Sequence, residues 1–156
     1  ILIFDEPFSG FDPINANLLK DTILELRDKG ATILLSTHNM ASVEELCDSI
    51  TLINKGKSIL QGRVGDIKRQ HDTHKREIII RTSDIQPIFA LGDTYNNIKV
   101  EPTDIHDEVK LTTYSESPNE LLQHLMQIGQ LVAYKEVLPS MNDIFIQEVQ
   151  SQNQAS

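Results

Sequence analysis

The 156-residue chain contains one cysteine, no tryptophan and no excess of positive charge. A disulfide framework needs paired cysteines, so the single Cys47 excludes one and is typical of a protein in a reducing compartment. Lys and Arg total 14 against 23 Asp and Glu, a formal net charge of −9, and the clustered cations of a nucleic-acid-binding protein are missing. No apolar run approaches the roughly 20 residues of a membrane-spanning helix. We therefore expect a soluble chain that binds no nucleic acid.

The composition predicts a folded chain of one ordinary domain or two small ones. Hydrophobic residues make up 39% and charged residues 24%, which excludes wholesale disorder. A polar stretch over 66–76 has Ile67 as its sole apolar residue, and the chain is more acidic after it than before it. We therefore predict a first domain over 1–66, a linker over 67–76, a second domain over 77–149 and a disordered tail over 150–156.

The pattern of the first part predicts an α/β fold with the order β-α-β-α-β-β. Residues 1–4 are all apolar, which is typical of a strand buried on both faces of a parallel sheet. Asp12 and Pro13 predict the start of a helix that ends at Gly30, and residues 32–35 predict the next buried strand. Because a buried strand needs neighbours, we expect the sequence to begin inside a larger fold. The helix should present an apolar stripe made of Ile14, Leu18, Ile23 and Leu26.

Polar side chains follow these two predicted strands. Asp5 and Glu6 end the first strand, and residues 36–38, Ser-Thr-His, end the second. Ligands of open parallel sheets bind at the carboxyl ends of the strands, so we expect the two carboxylates and the His38 imidazole to share one crevice. Successive strand side chains point in opposite directions, which predicts different tasks for the two carboxylates. One would hold a hard cation and the other would orient a water molecule.

These residues carry a resemblance to a known family. Residues 1–13, Ile-Leu-Ile-Phe-Asp-Glu-Pro-Phe-Ser-Gly-Phe-Asp-Pro, resemble the Walker B strand, catalytic glutamate and D-loop of an ABC-transporter ATPase subunit. Ser36-Thr37-His38 resembles the H-loop of the same family, at the usual distance downstream. Phe11 stands where the family more commonly has Leu. The resemblance covers residues 1 to about 66 and implies the C-terminal part of a P-loop NTPase domain.

The resemblance also implies roles for single residues. Asp5 would hold Mg²⁺ beside the phosphates of ATP, and Glu6 would be the general base or position the attacking water. His38 would contact the γ-phosphate, which makes Glu6 and His38 the catalytic pair and Asp5, Glu6 and His38 the nucleotide-binding set. Ser9 and Asp12 of the D-loop would contact a second ATPase subunit in a head-to-tail homodimer. Further implied features are a membrane permease as partner and a position at the cytoplasmic face of the membrane.

Three motifs of the ABC ATPase family are missing from the sequence. There is no Gly-x-x-x-x-Gly-Lys-Ser/Thr loop, no Leu-Ser-Gly-Gly-Gln segment and no Gln loop. All of them normally precede the Walker B strand, so we infer that the chain is the C-terminal part of a longer subunit. Most ligands of the phosphates would then be absent. We expect the chain alone to be inactive and to bind ATP weakly.

The second part of the chain predicts a small α+β domain. The element order over 77–149 is β-α-β-β-α-β followed by a final helix, which favours a split βαβ, ferredoxin-like sandwich. Gly92 and Gly129 should end the two internal helices. This part resembles the accessory domain of ABC-2-type exporter ATPases, whose Pro-Ser-Leu-Glu-Asp-Ile-Phe segment is similar to residues 139–145, Pro-Ser-Met-Asn-Asp-Ile-Phe. We expect a regulatory or dimer-contacting role for it.

Other functions compete with this interpretation. A non-catalytic dimerisation or regulatory module is the main alternative, because the second domain has no catalytic cluster. A metal phosphatase built on Asp5, Glu6 and His38 is disfavoured, since no further ligands complete a metal site. His71 and His74 are too few ligands for zinc. Cys47 fits a small buried hydrophobic residue better than a nucleophile.

Overall fold

The computed structural model of the chain describes residues 1–94 and 97–154. It is a mixed α/β structure that divides into two compact units: unit 1 is Ile1–Gln70 with Ser140–Ser156, and unit 2 is His71–Pro139. Within the described ranges, no helix is both long and apolar enough to cross a membrane. The elements in chain order are β1 (Leu2–Asp5), α1 (Pro13–Asp28), β2 (Ile33–Ser36), α2 (Met40–Leu46), β3 (Ser49–Asn54), β4 (Lys57–Arg63), α3 (Val64–Gln70), β5 (Lys75–Arg81), α4 (Gln86–Thr94), β6 (Ile98–Pro102), β7 (Glu108–Tyr114), α5 (Asn119–Ile128), β8 (Gln130–Glu136) and α6 (Met141–Gln154).

The two apolar strands of unit 1 lie side by side. β1 and β2 pair in parallel, in a register that runs from Leu2 opposite Ile33 to Asp5 opposite Ser36. The prediction of two adjacent parallel strands is therefore confirmed. Because the strands are parallel and in register, their carboxyl ends lie at the same edge. That edge carries the polar residues predicted from the sequence.

Helix α1 connects these strands and begins and ends as predicted. Asp12 caps it, and its Oδ1 accepts hydrogen bonds from the main-chain N–H groups of Ile14 and Asn15 at 2.9 and 3.1 Å. The predicted apolar stripe is wrong in part, because Ile23 is buried whereas Ile14 and Leu18 are exposed. A helix turns about 100° per residue, so Ile23 lies roughly 180° from Ile14. The four residues do not share one face.

Helices α2, α3 and α6 of unit 1 share a hydrophobic core. Asn39 caps α2, and its side-chain oxygen accepts a hydrogen bond from the main-chain N–H of Ser42. Helix α3 occupies residues 64–70, where the predicted linker begins, because Ile67 is a buried core residue. The cluster consists of Val43 from α2, Val64 and Ile67 from α3, and Met141 and Ile144 from α6.

The C-terminal part of the chain differs from the prediction. Residues from 140 onward group with unit 1 and not with the second domain, because Met141 and Ile144 pack in that cluster. The predicted disordered tail continues α6 as far as Gln154, and the predicted tail residues 155 and 156 lie outside the described residues. Two polar contacts accompany the last turns: Ser151 Oγ donates to Gln147 O at 2.9 Å, and Lys55 Nζ donates to Asn153 Oδ1 at 3.0 Å.

Unit 2 has the predicted element order β-α-β-β-α-β. Its four strands form an antiparallel sheet in the order β6-β7-β5-β8. Helix α4 runs through Gly92 instead of ending there, and a Cβ at Gly92 would lie 3.0 Å from Val100 Cγ2. Close packing against β6 therefore explains this glycine better than a helix stop. The core is formed by Ile78, Ile80, Ile88, Val109, Leu111 and Leu125.

Candidate functional site

Asp5 lies at the carboxyl end of β1 and is exposed to solvent. The register places it opposite Ser36, whose hydroxyl donates a hydrogen bond to Asp5 Oδ1. In the described part of the chain, Asp5 Oδ2 has no protein donor. One carboxylate oxygen is thus held by the neighbouring strand, and the other is available to a ligand.

Glu6 and His38 are in direct contact. The Glu6 carboxylate Oε1 accepts a hydrogen bond from the main-chain N–H of His38 at 3.0 Å and lies 2.7 Å from the ring Nδ1. Glu6 has a backbone φ of 43°, in the left-handed region that a non-glycine residue seldom adopts. Residues held in this region cluster at functional sites, where the surrounding structure fixes them. Of the two predicted acidic residues, Glu6 contacts His38, whereas Asp5 is hydrogen-bonded to Ser36.

Thr37 supports the second oxygen of Glu6. Its Oγ1 accepts the N–H of Asn39 at 3.1 Å and donates to Glu6 Oε2 at 3.4 Å. Because an ionised carboxylate only accepts, the hydroxyl of Thr37 is the donor in its contact with Glu6. Asn39 then caps α2. The sequence assigned no separate task to Ser36 or Thr37, although the parallel register alone would have placed Ser36 beside Asp5.

Ser9 and Asp12, the residues predicted to form a D-loop, lie in the turn between β1 and α1. The main-chain N–H of Ser9 donates to Glu6 O at 3.1 Å, and Gly10 follows with a φ of 79°. Both carboxylate oxygens of Asp12 are engaged by α1, since Oδ2 also accepts from the Asn15 amide at 2.5 Å. The main-chain N–H of Asn15, followed by its side-chain amide, holds the pKa of Asp12 below its ordinary value. No described hydrogen bond joins the side chain of Asp12 to Glu6 or His38.

The Asp5 carboxylate offers an oxygen ligand of the kind that Mg²⁺ binds. Across residues 1–94 and 97–154, no group of three or more His, Cys, Asp or Glu side chains could hold a metal ion. Mg²⁺ is commonly bound by one or two carboxylates together with waters and substrate phosphates. Asp5, with one free carboxylate oxygen, matches that mode. His74 lies 3.4 Å from Asp72 and 3.4 Å from Glu116.

Cys47 ends α2 and is partly buried. Burial, with a smaller effect from the charge of Asp48, raises the pKa of the Cys47 thiol above its ordinary value. A raised pKa favours the protonated thiol, which is a poor nucleophile.

Comparisons with known proteins identify the family of the chain. Residues 62–149 match a family described as ATP-binding protein DrrA1-3-like, C-terminal domain. The chain is 35% identical over 150 residues to YhaQ, an uncharacterized ABC transporter ATP-binding protein of Bacillus subtilis, and the match covers 96% of the chain and 48% of YhaQ. The chain thus spans about half the length of this relative.

Shorter matches have similar descriptions. A fluoroquinolones export ATP-binding protein of Mycobacterium tuberculosis is 46% identical over 59 residues, which are 38% of the chain and 20% of that protein. A solved structure of the ATP-binding subunit of an ABC transporter is 44% identical, covers 44% of the chain and 29% of the solved chain, and has a TM-score of 0.41. The family match over residues 62–149 covers more than half of the 156-residue chain. The chain therefore belongs to the DrrA1-3-like ATP-binding proteins of ABC transporters and carries their C-terminal domain.

Proposed function

We propose that the chain is the C-terminal part of an ATP-hydrolysing subunit that drives an ABC-2-type exporter. The contact between Glu6 and His38 carries this proposal. Two parallel strand ends bring together an acid, a second acid and an imidazole, and Glu6 is fixed there in a left-handed conformation. Catalytic groups that must be positioned before reaction are typically held in this way.

The chemistry follows from what each residue offers. Mg-ATP supplies the bond that is broken and the charge that must be stabilised. Asp5 offers a carboxylate oxygen to the cation or to a water on it, which is a task for an anionic oxygen ligand. Glu6 accepts a proton from the attacking water or orients that water, and the His38 ring contacts the terminal phosphate. Phosphoryl transfer needs mainly positioning and charge stabilisation, so three fixed polar groups suit it.

The packing of β1 and β2 supports a longer subunit. Their sheet has two strands in the described residues, and Ile3 and Leu34 on it are 73% and 61% exposed. Both line a groove of about 1330 Å³ that extends to Asp5 and His38. An apolar strand pair of this kind is normally covered on both faces in a parallel sheet. Relatives about twice as long supply a further reason to expect more chain here.

Partners follow from the family. We propose a homodimer in which Ser9 and Asp12 face the second ATPase subunit, and a membrane permease that places the subunit at the cytoplasmic face of the membrane. Export is favoured by the description of the Mycobacterium tuberculosis relative. Both oxygens of the Asp12 carboxylate accept hydrogen bonds from the start of α1. Asp12 would therefore contribute to the contact with the second subunit mainly by holding the shape of the turn, and less through its charge.

Unit 2 is proposed to be an accessory domain with a ferredoxin-like arrangement. The strand order β6-β7-β5-β8 and the antiparallel pairing support that arrangement. A regulatory or dimer-contacting role is favoured by its charge distribution. Glu77 and Lys110 form an ion pair of 3.0 Å on the open face of its sheet. Every lysine of unit 2 lies on that face: Lys75, Lys99, Lys110 and Lys135.

The decisive experiment is Glu6→Gln in the longer subunit. Because a positioned general base contributes roughly 10²–10⁴ in rate, kcat should fall by about 100-fold or more. ATP binding should persist, since glutamine keeps the size of the side chain, and an ATP-bound dimer should accumulate. Glu25→Gln on α1 is the matched control, because the exposed Glu25 forms its ion pair with the exposed Lys29, at 3.5 Å. Unchanged hydrolysis in Glu6→Gln would rule out Glu6 as the catalytic carboxylate.

A second experiment concerns the 156-residue chain itself. It has no phosphate-binding loop, so calorimetric titration with Mg-ATP should give no binding in the micromolar range. The longer subunit serves as the positive control in the same buffer. A micromolar dissociation constant for the chain alone would contradict the proposal that its nucleotide site is incomplete.

A further inference from the structure

We propose that Ser36 is a positioning residue that orients Asp5 for a divalent cation. This inference rests on the proposed function, in which Asp5 is the cation-binding carboxylate. It goes beyond that function because Ser36 itself would not touch the cation. Its task would be to select the carboxylate oxygen that does.

The register of β1 and β2 makes this contact a built feature of the sheet. Asp5 and Ser36 are paired residues at the last position of both strands. Side chains of paired residues leave a sheet on the same face, about 4.8 Å apart across neighbouring strands. A one-residue shift would turn Ser36 to the opposite face, so the alignment of the two strands determines the contact.

The hydrogen bond between Ser36 and Asp5 has a defined donor and acceptor. An ionised carboxylate only accepts, so the Ser36 hydroxyl donates to Asp5 Oδ1. In the part of the chain that the structure describes, the hydroxyl has no other partner and Asp5 Oδ2 has no protein donor. The exposed end of β1 would otherwise leave the Asp5 carboxylate free to rotate. Ser36 removes that freedom and leaves Oδ2 as the oxygen presented to a cation or its water.

Preorganisation of this kind has a measurable effect on cation affinity. Groups that orient a metal ligand without touching the metal typically change affinity by about 10- to 100-fold when removed. Removal of the Ser36 hydroxyl should weaken the binding of the cation. It should not change the affinity for nucleotide when no divalent cation is present. A residue that merely stabilised the fold would lower both together.

The test measures Mn²⁺ binding by EPR of the free ion, in the ATP complex of the longer subunit carrying Glu6→Gln to prevent turnover. Ser36→Ala should raise the Mn²⁺ dissociation constant by about 10-fold. Ser36→Thr keeps the hydroxyl and should restore the affinity. Ser58→Ala, an exposed serine on β4, is the matched control and should change nothing.

A double-mutant comparison separates the positioning role of Ser36 from the metal-binding role of Asp5. In an Asp5→Asn background, Ser36→Ala should have no further effect on Mn²⁺ binding, because its target is gone. If Asp5→Asn weakens Mn²⁺ binding and Ser36→Ala does not, the positioning role of Ser36 is wrong while the proposed function stands. If Asp5→Asn leaves Mn²⁺ binding intact, the metal role of Asp5 in the proposed function fails, and the inference about Ser36 fails with it.

Discussion

Glu6 accepts a hydrogen bond from the main chain of His38 and contacts the ring of the same residue. The two distances to Glu6 Oε1 are 3.0 Å from the His38 main-chain nitrogen and 2.7 Å from Nδ1. Because a carboxylate oxygen accepts, Nδ1 carries the proton in this contact. The main-chain bond is independent of the side chain, so the two contributions of His38 are separable by mutation.

His38→Ala should therefore leave Glu6 in place and remove only the imidazole. In the longer subunit we expect kcat to fall by about 100-fold, because an acid–base group contributes roughly 10²–10⁴ in rate, with little change in KM for ATP. His106→Ala is the control, since His106 is exposed in the loop between β6 and β7. Steady-state hydrolysis measures both. Equal kcat values for the two variants would show that the ring of His38 takes no part in turnover.

Gly129→Ala should destabilise unit 2. A Cβ at Gly129 would lie 2.6 Å from Ile80 Cγ2 and 2.8 Å from Arg81 O, where backbone must move to make room. Overpacking of this kind costs about 1–3 kcal/mol of unfolding free energy. The measurement is urea unfolding followed by tyrosine fluorescence, because all three tyrosines of the chain lie within residues 71–139 and there is no tryptophan.

Gly65→Ala is the matched control for that experiment. Gly65 lies in α3, and a Cβ there would meet no atom within 4 Å. Replacing an unstrained helical glycine by alanine stabilises by about 0.4–1 kcal/mol. Gly65 is in unit 1, so the tyrosine signal of unit 2 should not report a loss. A Gly129→Ala variant as stable as the control would contradict the close approach of β8 and β5.

Patterns in the sequence predicted the site better than they predicted the boundaries of the units. The apolar run of β1 is followed by Asp5, so the sequence places this carboxylate at a strand end. The apolar run of β2 likewise ends at Ser36, two residues before His38. Asp12 with Pro13 predicts the start of α1, since a capping side chain and a fixed φ act locally.

Contacts between distant segments explain what the sequence did not reveal. Ile67 lies in a polar stretch and predicts no core by itself, yet it is buried because residues 140 onward return to α3. Glycine is a residue that commonly ends helices, which led to the prediction for Gly92. In the structure, Gly92 instead leaves room for the side chain of Val100, which packs closely against it. Ile14 and Leu18 continue an apolar pattern by spacing, and the exposed face of α1 becomes visible only in the structure. Tertiary packing decided each of these positions.

Asp72 should make the stability of unit 2 depend on acid pH. The side-chain hydrogen bond from Arg76 is the main cause that lowers the pKa of Asp72 below the ordinary value of 3.8. A carboxyl with a lowered folded-state pKa stabilises the fold above the unfolded pKa, and this stability is lost as the pH falls through the folded pKa. The unfolding free energy should therefore decrease as the pH falls below about 4.

Asp72→Asn tests the origin of that dependence. The variant should lose about 1–2 kcal/mol at neutral pH, because the buried Arg76 loses the carboxylate of Asp72 and keeps Glu136, at 2.8 Å, and the main-chain oxygen of Lys75, at 3.0 Å, as partners. Its unfolding free energy should also vary less with pH below 4 than that of the wild type. Urea unfolding at several pH values measures both effects. An unchanged slope would assign the acid sensitivity to other carboxylates.

Glu44 should hold the N-terminus of α6 against α2 and α3. Its Oε1 accepts the main-chain N–H of Met141 at 2.6 Å, and its Oε2 accepts from Lys68. Glu44→Ala would leave a partly buried N–H and an ammonium group without this acceptor, which costs about 1–3 kcal/mol. Because 1.4 kcal/mol is a factor of ten, amide hydrogen exchange in α6 should accelerate by about 10-fold or more.

Glu44→Gln separates the cap from the ion pair. The glutamine oxygen still accepts from Met141, whereas the charge that attracts Lys68 is gone, so exchange in α6 should accelerate less than in Glu44→Ala. Lys68→Met removes the ion pair from the other side and should resemble Glu44→Gln. If all three variants exchange alike, the ion pair alone holds α6. If none of the variants differs from the wild type, the apolar contacts of Met141 and Ile144 are enough to hold α6 in place. Glu44 would then contact α6 without stabilising its position.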